Sequence, residues 1–430
     1  MEPHSLPQDT FQLQTADAVY LQQHIPWWQD LSAEVRAELA LEPAESGQRR
    51  KVDVAVIGGG VAGLSAARAA RAAGAEVLLL EATPGLGRGA TGRNAGILSA
   101  GVNMGIADLD PDGPEARFWP ETTRMLLELT EEAKHEDHLI QAHLTGALSL
   151  AESVNAARIL AREVRARARL GVRAELWTAQ QVAERTGGRL NTGKVVSAMW
   201  LPDEGRIQPL TLLASLARKA RAIGVQMLGD ASVISCSERT AAGDGLPGWL
   251  LTLKNGTTIE AEGLLHAIGP TAQPTARIYA LSFAADLPET FPLFWDASPY
   301  TYADYRAGCG RLTVSGGRYG KVGGSRHEEK YYQRLADGAR RWLPELANRQ
   351  PSYQWGVDLD ITADMVPNLR DLGTQAPGLA IDGLGALGVL PGLLLGRRAG
   401  ELVARVIAQD DVSALPASLA RQQHASRNIA

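Results

Sequence analysis

From Val52 onward, short apolar runs alternate with segments whose apolar residues recur every three or four positions. "VDVAVIG" (52–58) is a continuous apolar run of strand length, "GVAGLSAARAARAAG" (60–74) has small residues at helical spacing, and "EVLLLEA" (76–82) is a second apolar run. That order predicts a βαβ unit. Helical periodicity dominates from Thr122 to about Leu170, broken by the strand-like "GALSLAE". "TAQQVAERTG" predicts a short helix capped by Thr178, and Leu210 to Gly224 predicts a longer one. "VQMLGDASVISCSER" and "GWLLTLKNGTTIEAEGLLHAIG" read as strands, with "KNGT" as a hairpin signal. Strand-like runs recur between Phe283 and Gly317, residues 325–350 are helical, and "GLAIDGLG" then "LLLGRRAGELVARVIAQ" give a last strand and helix.

Strands that start as βαβ and later recur among helices predict an α/β fold, α+β overall, of two interleaved domains. The expected boundaries are a dinucleotide-type domain over 51–140, 200–275 and 355–430, and an antiparallel-sheet domain over 141–199 and 276–354. Residues 1–50 read as a helical extension: "AVYLQQHIPWWQDL" carries aromatics that need a neighbour, and "EPAESGQRR" is a polar linker.

Composition narrows the classes. The net charge is −5 and there is no basic block, which argues against nucleic acid. The arginines from Arg162 to Arg169 alternate with apolar residues and read as the wet face of a helix. Two cysteines, Cys236 and Cys309, support neither a disulfide framework nor a metal site, so a cytoplasmic location is expected. No signal peptide and no membrane span is expected. His135 and His138 have metal-compatible spacing without a third ligand, and His266 reads as a satisfied core histidine.

In "VIGGGVAGLSA" the spacing is Gly58-x-Gly60-x-x-Gly63. The first glycine allows a tight turn, the second lets backbone approach a pyrophosphate, and the third lets helix and strand pack closely. Val61 and Ala62 begin the helix whose free amides would face the phosphates. Glu81 ends the second strand, where an acid accepts hydrogen bonds from a ribose. Spacing alone does not separate NAD from FAD.

A second glycine-rich run follows, "GLGRGATGRNAG" (85–96). With "TGALSLAES", "DEGRIQPLTLLASLARKARAIGVQM", "LLHAIGPTAQ", "YRAGCGRLTVSGG" and "GLGALGVLPGLLLGRRAGELVA", the chain over roughly 50–410 resembles the D-amino-acid oxidase superfamily of FAD-dependent enzymes. That superfamily includes glycine, sarcosine and γ-glutamylputrescine oxidases. The resemblance implies a Rossmann-like FAD domain and a substrate domain over the ring. It places Gly89, Ala90, Thr91, Arg93, Asn94, Ala95 and Gly96 along the diphosphate and beneath the flavin. It places Val233 at the adenine, Gly269 near the pyrophosphate, and Gly385, Leu387 and Gly388 at the pyrimidine edge. No cysteine lies in "YQWGVDLDITADMVPNL", so FAD is expected to be non-covalent.

For the substrate, the resemblance puts Arg306 where relatives bind a carboxylate, a task suited to a planar fork. Arg318 competes with it, Tyr305 adjoins it, and the alternative for Arg306 is an ion pair with Asp304 or Asp296. No lysine occurs between Lys254 and Lys321, where sarcosine-oxidase-like members carry one; Tyr279 and Ser282 stand in that stretch. This leaves O2 or another acceptor open. The implied reaction takes an amine or amino acid, passes hydride to flavin N5 and hydrolyses the imine. Weighed against it are C–OH oxidation, a non-catalytic structural flavoprotein and an NAD-only dehydrogenase. Oligomeric state is left open; Trp27 and Trp28 read as covering a neighbouring domain or an interface, and Trp355 matches an aromatic position near the flavin in relatives or packs in the core.

Overall fold

Strand β1 (Arg49–Ile57) sits in the middle of a ten-stranded sheet. The structure, a computed structural model, describes residues 4–5, 18–100, 105–240, 247–269, 274–296, 303–361, 367–372 and 375–409. Helix α1 (Val61–Ala72) follows β1 and leads to β2 (Val77–Leu80), which runs parallel to it. Helix α2 (Val154–Arg169) comes later; α3 (Pro209–Ala222) then precedes β3 (Gln226–Gly229), parallel to β2. Strands β4 (Val233–Arg239), β5 (Gly248–Leu253) and β6 (Thr258–His266) form an antiparallel meander, and β6 closes back parallel to β1. The turn joining β5 to β6 contains Gly256 at φ +84°.

Register aligns the carboxyl ends. His266 is level with Ile57, and Ile57 with Leu80. The segments that follow these strands, Gly58, Glu81 and Ala267–Gly269, therefore emerge at one edge, the crevice where parallel sheets bind ligands.

The chain then builds an eight-stranded sheet. Strands β7 (Ala276–Ala284), β8 (Leu293–Asp296), β9 (Ala303–Gly308) and β10 (Arg311–Gly320) precede helix α4 (Glu329–Trp342) and β11 (Tyr353–Leu359). The order is β11-β7-β10-β9-β8, continued by Ala147–Ala151, Ser197–Leu201 and Glu175–Trp177. One face packs Tyr279, Leu281, Phe283, Tyr305, Leu312 and Val314 against Leu335, Ala339 and Trp342 of α4. Alternation along the strands sends Ala280, Ser282, Asp304, Arg306, Thr313, Ser315 and Trp355 to the opposite face. A small three-stranded sheet joins the two large ones: Gly205–Ile207 pairs with Ile97–Leu98 and with Ala142–Leu144.

The chain returns to the first sheet with β12 (Gly378–Asp382), parallel to β6, and ends its described part in α5 (Val389–Gln409). Helix α5 lies against α1 on a stripe of glycines four apart. A Cβ on Gly396 or Gly400 would collide with the carbonyl oxygens of Ala62 and Ala66, so only glycine permits this approach. Ser65 Oγ donates to Leu393 O at 2.7 Å across the same contact.

The N-terminal extension is part of the core. Leu21, Ile25, Trp27, Trp28, Val35 and Leu39 are buried in the main cluster with α1 and α3. Arg311 pairs with Asp30, and Tyr353 Oη donates to Gln29 Oε1 at 2.7 Å, which fastens the extension to the eight-stranded sheet as well.

Two expectations need correction. The arginines of α2 do not all face water: Arg167 is buried and paired with buried Glu163, which also accepts from the amides of Ile106 (3.1 Å) and Ala107 (3.0 Å). A four-residue spacing brings the two charges together inside. His266 is not satisfied among the described residues, where its buried Nε2 has no hydrogen-bond partner; burial holds the imidazole below its ordinary pKa. His135 and His138 meet Glu131 and Glu34 at the surface. Among the described residues no group of three or more His, Cys, Asp or Glu could hold a metal. No described helix is long and apolar enough to cross a membrane.

Candidate active site

Gly58 ends β1 at φ +105°, and a Cβ there would strike the backbone of Ala267. A Cβ on Gly63 would strike the Gly58 carbonyl oxygen. Both glycines are therefore required by backbone meeting backbone. Gly60 is the N-cap of α1 and has no side chain to cap the first turn. Val61 N donates instead to Thr91 Oγ1 at 3.1 Å, so the second glycine loop supplies the cap of the helix after the first. The Gly60 Cα faces the same hydroxyl. Glu81 closes the far side: its Oε2 accepts from Gly59 N (2.8 Å), and its Oε1 from Thr83 N (3.0 Å) and Oγ1 (2.8 Å).

The second loop is held from several directions. Gly89 begins a single 3-10 turn over Ala90–Gly92. Asn94 Nδ2 donates to Thr91 O (2.6 Å) and its Oδ1 accepts from Gly96 N (2.7 Å), so this side chain stitches the loop to itself across Ala95. Arg93 is buried and its Nε donates to Arg88 O at 3.0 Å; burial lowers its pKa. Trp28 Nε1 donates to Gly92 O (3.1 Å) and Trp355 Nε1 to Arg93 O (2.7 Å), so one indole from the extension and one from β11 grip adjacent carbonyls. Gly96 O accepts from Ile207 N at 2.8 Å.

The remaining cofactor candidates lie at the same sheet edge or beyond it. Asp360 braces the loop before α5: its Oδ2 accepts from Gly383 N (3.2 Å) and its carbonyl from Gly385 N (3.1 Å). Gly385, at φ +56°, and Leu387 form a 3-10 turn, and Gly388 O accepts from Gly392 N at 2.9 Å in α5. Gly269 follows β6 at φ +79°, and half-buried Val233 starts β4 opposite Leu253.

The four substrate candidates divide. Tyr279 and Tyr305 face α4, away from the loops: Tyr279 Oη donates to Glu328 Oε1 (3.2 Å), and Tyr305 Oη to Asp296 Oδ2 (2.9 Å). Tyr305 and Arg306 are neighbours on a strand, so they point to opposite faces. Arg318, exposed near the end of β10, shares the α4-side parity. Only Arg306 reaches the second loop, and the loop covers it. Arg306 is 3% exposed, its Nη2 donates to Ile207 O at 3.1 Å, and its guanidinium lies over the ring of Trp27 at 5.2 Å. Neither Asp304 nor Asp296 pairs with it, which removes that alternative. Burial and neighbouring Arg206 push its pKa down to about 10, leaving it cationic near neutrality.

Two features carried no local sequence signal as site residues. Trp27 and Trp28 reach the site from the extension. At Gly316 (φ +103°) and Gly317 (φ +76°) a bulge sets the five residues Gly316–Gly320 against the three residues Arg277–Tyr279, and the half-exposed Tyr319 lies within it.

A parallel sheet that offers a glycine-shaped anion cradle, a strand-end acid and a second backbone strip beneath a facing antiparallel sheet defines a dinucleotide-dependent oxidoreductase. The chain belongs to the FAD dependent oxidoreductase (DAO) family, whose model matches residues 53–402. It is 25% identical over 380 residues to a probable oxidoreductase OrdL of Rhizobium meliloti (strain 1021), covering 82% of this chain and 83% of that protein. Its fold is similar to glycine oxidase of Geobacillus kaustophilus (TM-score 0.69, 20% identity, 89% of this chain and 100% of that one). It is also similar to L-α-glycerophosphate oxidase of Mycoplasma pneumoniae solved with FAD bound (TM-score 0.65, 14% identity, 84% and 94%). FAD is the cofactor of the family. The residues present fit it, since the cradle at Gly58 and Gly63 admits no side chain and the first turn of α1 has no capping side chain of its own.

Proposed function

We propose that the protein oxidises an amine at the carbon bearing nitrogen, releasing an imine that hydrolyses to a carbonyl compound. The observation that carries this reading is that neither glycine loop, nor 383–388, nor strands β7, β9, β10 and β11 contain a histidine; His143, in the small sheet beside Arg206 and near Arg306, is the histidine that a hydroxyl substrate would have to use. Removing hydride from a carbinol calls for a base on the hydroxyl proton, a task for which histidine is the usual side chain. A neutral amine needs none. FAD supplies the two-electron acceptor. The chain's part is to orient the C–H bond, exclude water and hold the proton state of the nitrogen.

Support for the Arg93–Asn94 segment as the strip beneath the flavin comes from its anchoring by Trp28 and Trp355. The likeness to a glycerophosphate oxidase makes hydroxyl oxidation the second reading. Holoenzyme mixed anaerobically with primary amines, N-methyl amino acids, diamines, 2-hydroxy acids and glycerol phosphate separates the two. Bleaching of the visible flavin band by at least one amine is expected. Bleaching by hydroxyl compounds alone overturns the amine reading. Admitting air afterwards tells O2 from another acceptor.

A further inference from the structure

On the sheet face that looks toward the glycine loops, the polar groups differ in what already holds them. Arg306 is covered and takes a carbonyl and an indole face. Ser282 and Thr313 are buried against each other. Asp304 stands two residues before Arg306 on β9, level with Ser315 of β10, and is partly exposed. Among the described residues its carboxyl has neither a hydrogen bond nor an ion pair, whereas neighbouring Asp296 and Glu289 are engaged. Asp296 takes Tyr305, Trp342 and Arg341, and Glu289 takes Arg206 and the Cys309 amide. Asp304 also lines a cavity of ≈ 10 Å³ with Ile97, the residue directly after Gly96 of the second loop. That position puts the carboxyl beside the strip on which the reacting centre is expected.

Tyr319 completes the arrangement. The bulge at Gly316–Gly317 keeps it on the Asp304 face, and it is 44% exposed. Its hydroxyl is raised in pKa by burial and then by the nearby Asp304 carboxyl. An acid without a partner among the described residues and a half-exposed phenol ring on one sheet face make the two halves of an ammonium site: a counter-charge, and a ring whose face attracts cations.

We propose that Asp304 and Tyr319 bind a protonated nitrogen of the substrate other than the one whose carbon is oxidised, and that the substrate class is therefore alkylamines carrying a second, cationic nitrogen rather than amino acids anchored by their carboxylate. This rests on the amine reading above and narrows it. Burial and the Asp296 charge push the Asp304 carboxyl up to about 7, so a bound cation would bring it back toward the ionised form.

The test uses holoenzyme and 1,4-diaminobutane as probe, with acetate as the opposite charge, each titrated by its perturbation of the flavin spectrum. Asp304→Asn should weaken diamine binding by roughly 10- to 100-fold, the range of one charge-assisted hydrogen bond. Acetate binding should stay the same or tighten, with FAD content unchanged. Asp304→Glu should restore part of the diamine affinity. Tyr319→Lys, at an exposed position that tolerates the change, places a cation opposite Asp304 and should raise the KM for amines at least tenfold with kcat less affected. Diamine affinity unchanged in Asp304→Asn, or an unchanged amine KM in Tyr319→Lys, overturns the proposal. If no amine bleaches the wild-type flavin, the functional reading fails instead, and the spectral titration still reports whether Asp304 selects cations.

Discussion

The guanidinium of Arg306 lies over the indole ring of Trp27, 5.2 Å from its centroid, and among the described residues no carboxylate forms an ion pair with it. A buried cation without an anion is costly, and here a carbonyl and a ring face compensate it. Trp27 in turn stands edge-on to Trp355 at 5.7 Å, and Trp355 holds the Arg93 carbonyl. Replacing Trp27 by Ala should cost about 3–5 kcal/mol of stability through the cavity alone. Phe should recover most of it by keeping the ring. Thermal unfolding of the three holoenzymes checks this; equal losses for Ala and Phe would show that the ring face is irrelevant to Arg306.

Thr91 caps α1 from another segment. Thr91→Val keeps the shape and removes the acceptor, leaving the Val61 amide without it. Net hydrogen-bond values of about 0.5–1.5 kcal/mol translate into roughly 2- to 12-fold weaker FAD binding. Fluorescence titration of apoenzyme with FAD measures it. An unchanged Kd would mean that the two loops act independently.

Gly396→Ala places a methyl group against the Ala62 carbonyl oxygen. Overpacking of this kind costs about 1–3 kcal/mol, and α1 can yield only by moving its N-terminal turn. The expected result is lower thermal stability together with weaker FAD retention. Gly256→Ala, in an open turn far from this contact, should leave FAD retention alone.

Glu204 is buried, and burial pushes its carboxyl up to about 8 from an ordinary 4.5, against the pull of the Ser99 hydrogen bond. The folded chain thus holds a proton that the unfolded chain releases above about 4.5. Stability from this group is full below that pH and falls as pH rises toward about 8, by at most ~1.4 kcal/mol per unit. Glu204→Gln should flatten the fall in melting temperature between pH 5 and about 8, an interval set by that shift, while changing little at pH 5. A variant that is no more stable than wild type at the upper end of the interval would show that the carboxyl ionises freely.

How much of this was legible in the sequence depends on whether the signal is local. The first loop was readable because Gly58, Gly60 and Gly63 sit between an apolar strand and a helix with Glu81 after the next strand, and the structure supplies colliding backbone at Gly58 and Gly63 while Gly60 faces the Thr91 hydroxyl. The capping box at Thr178 is also as the residues suggest, with Thr178 and Gln181 bonded reciprocally. Strand alternation also separates Tyr305 from Arg306: a residue next to Arg306 cannot share its face, whereas Asp304 must. Glu163 and Arg167 were four apart, yet a chain dense in arginine hides which one is buried. Trp27 and Trp28 could not be placed from sequence, because their partners Arg306, Gly92 and Trp355 come from elements far along the chain. Nor does sequence reveal that the glycines of α5 meet α1, since that contact exists only after both sheets have formed.

The Thr91 hydroxyl on the Val61 amide has a further consequence for anyone wishing to redesign this protein for another dinucleotide. The phosphate cradle and the strip that follows it are not interchangeable cassettes. Importing a different Gly58–Gly63 turn moves the amide that fixes Thr91, and importing a different Gly89–Gly96 segment uncaps α1. Cofactor exchange here must transplant both loops as one graft, with Trp28 and Trp355 kept as its fasteners.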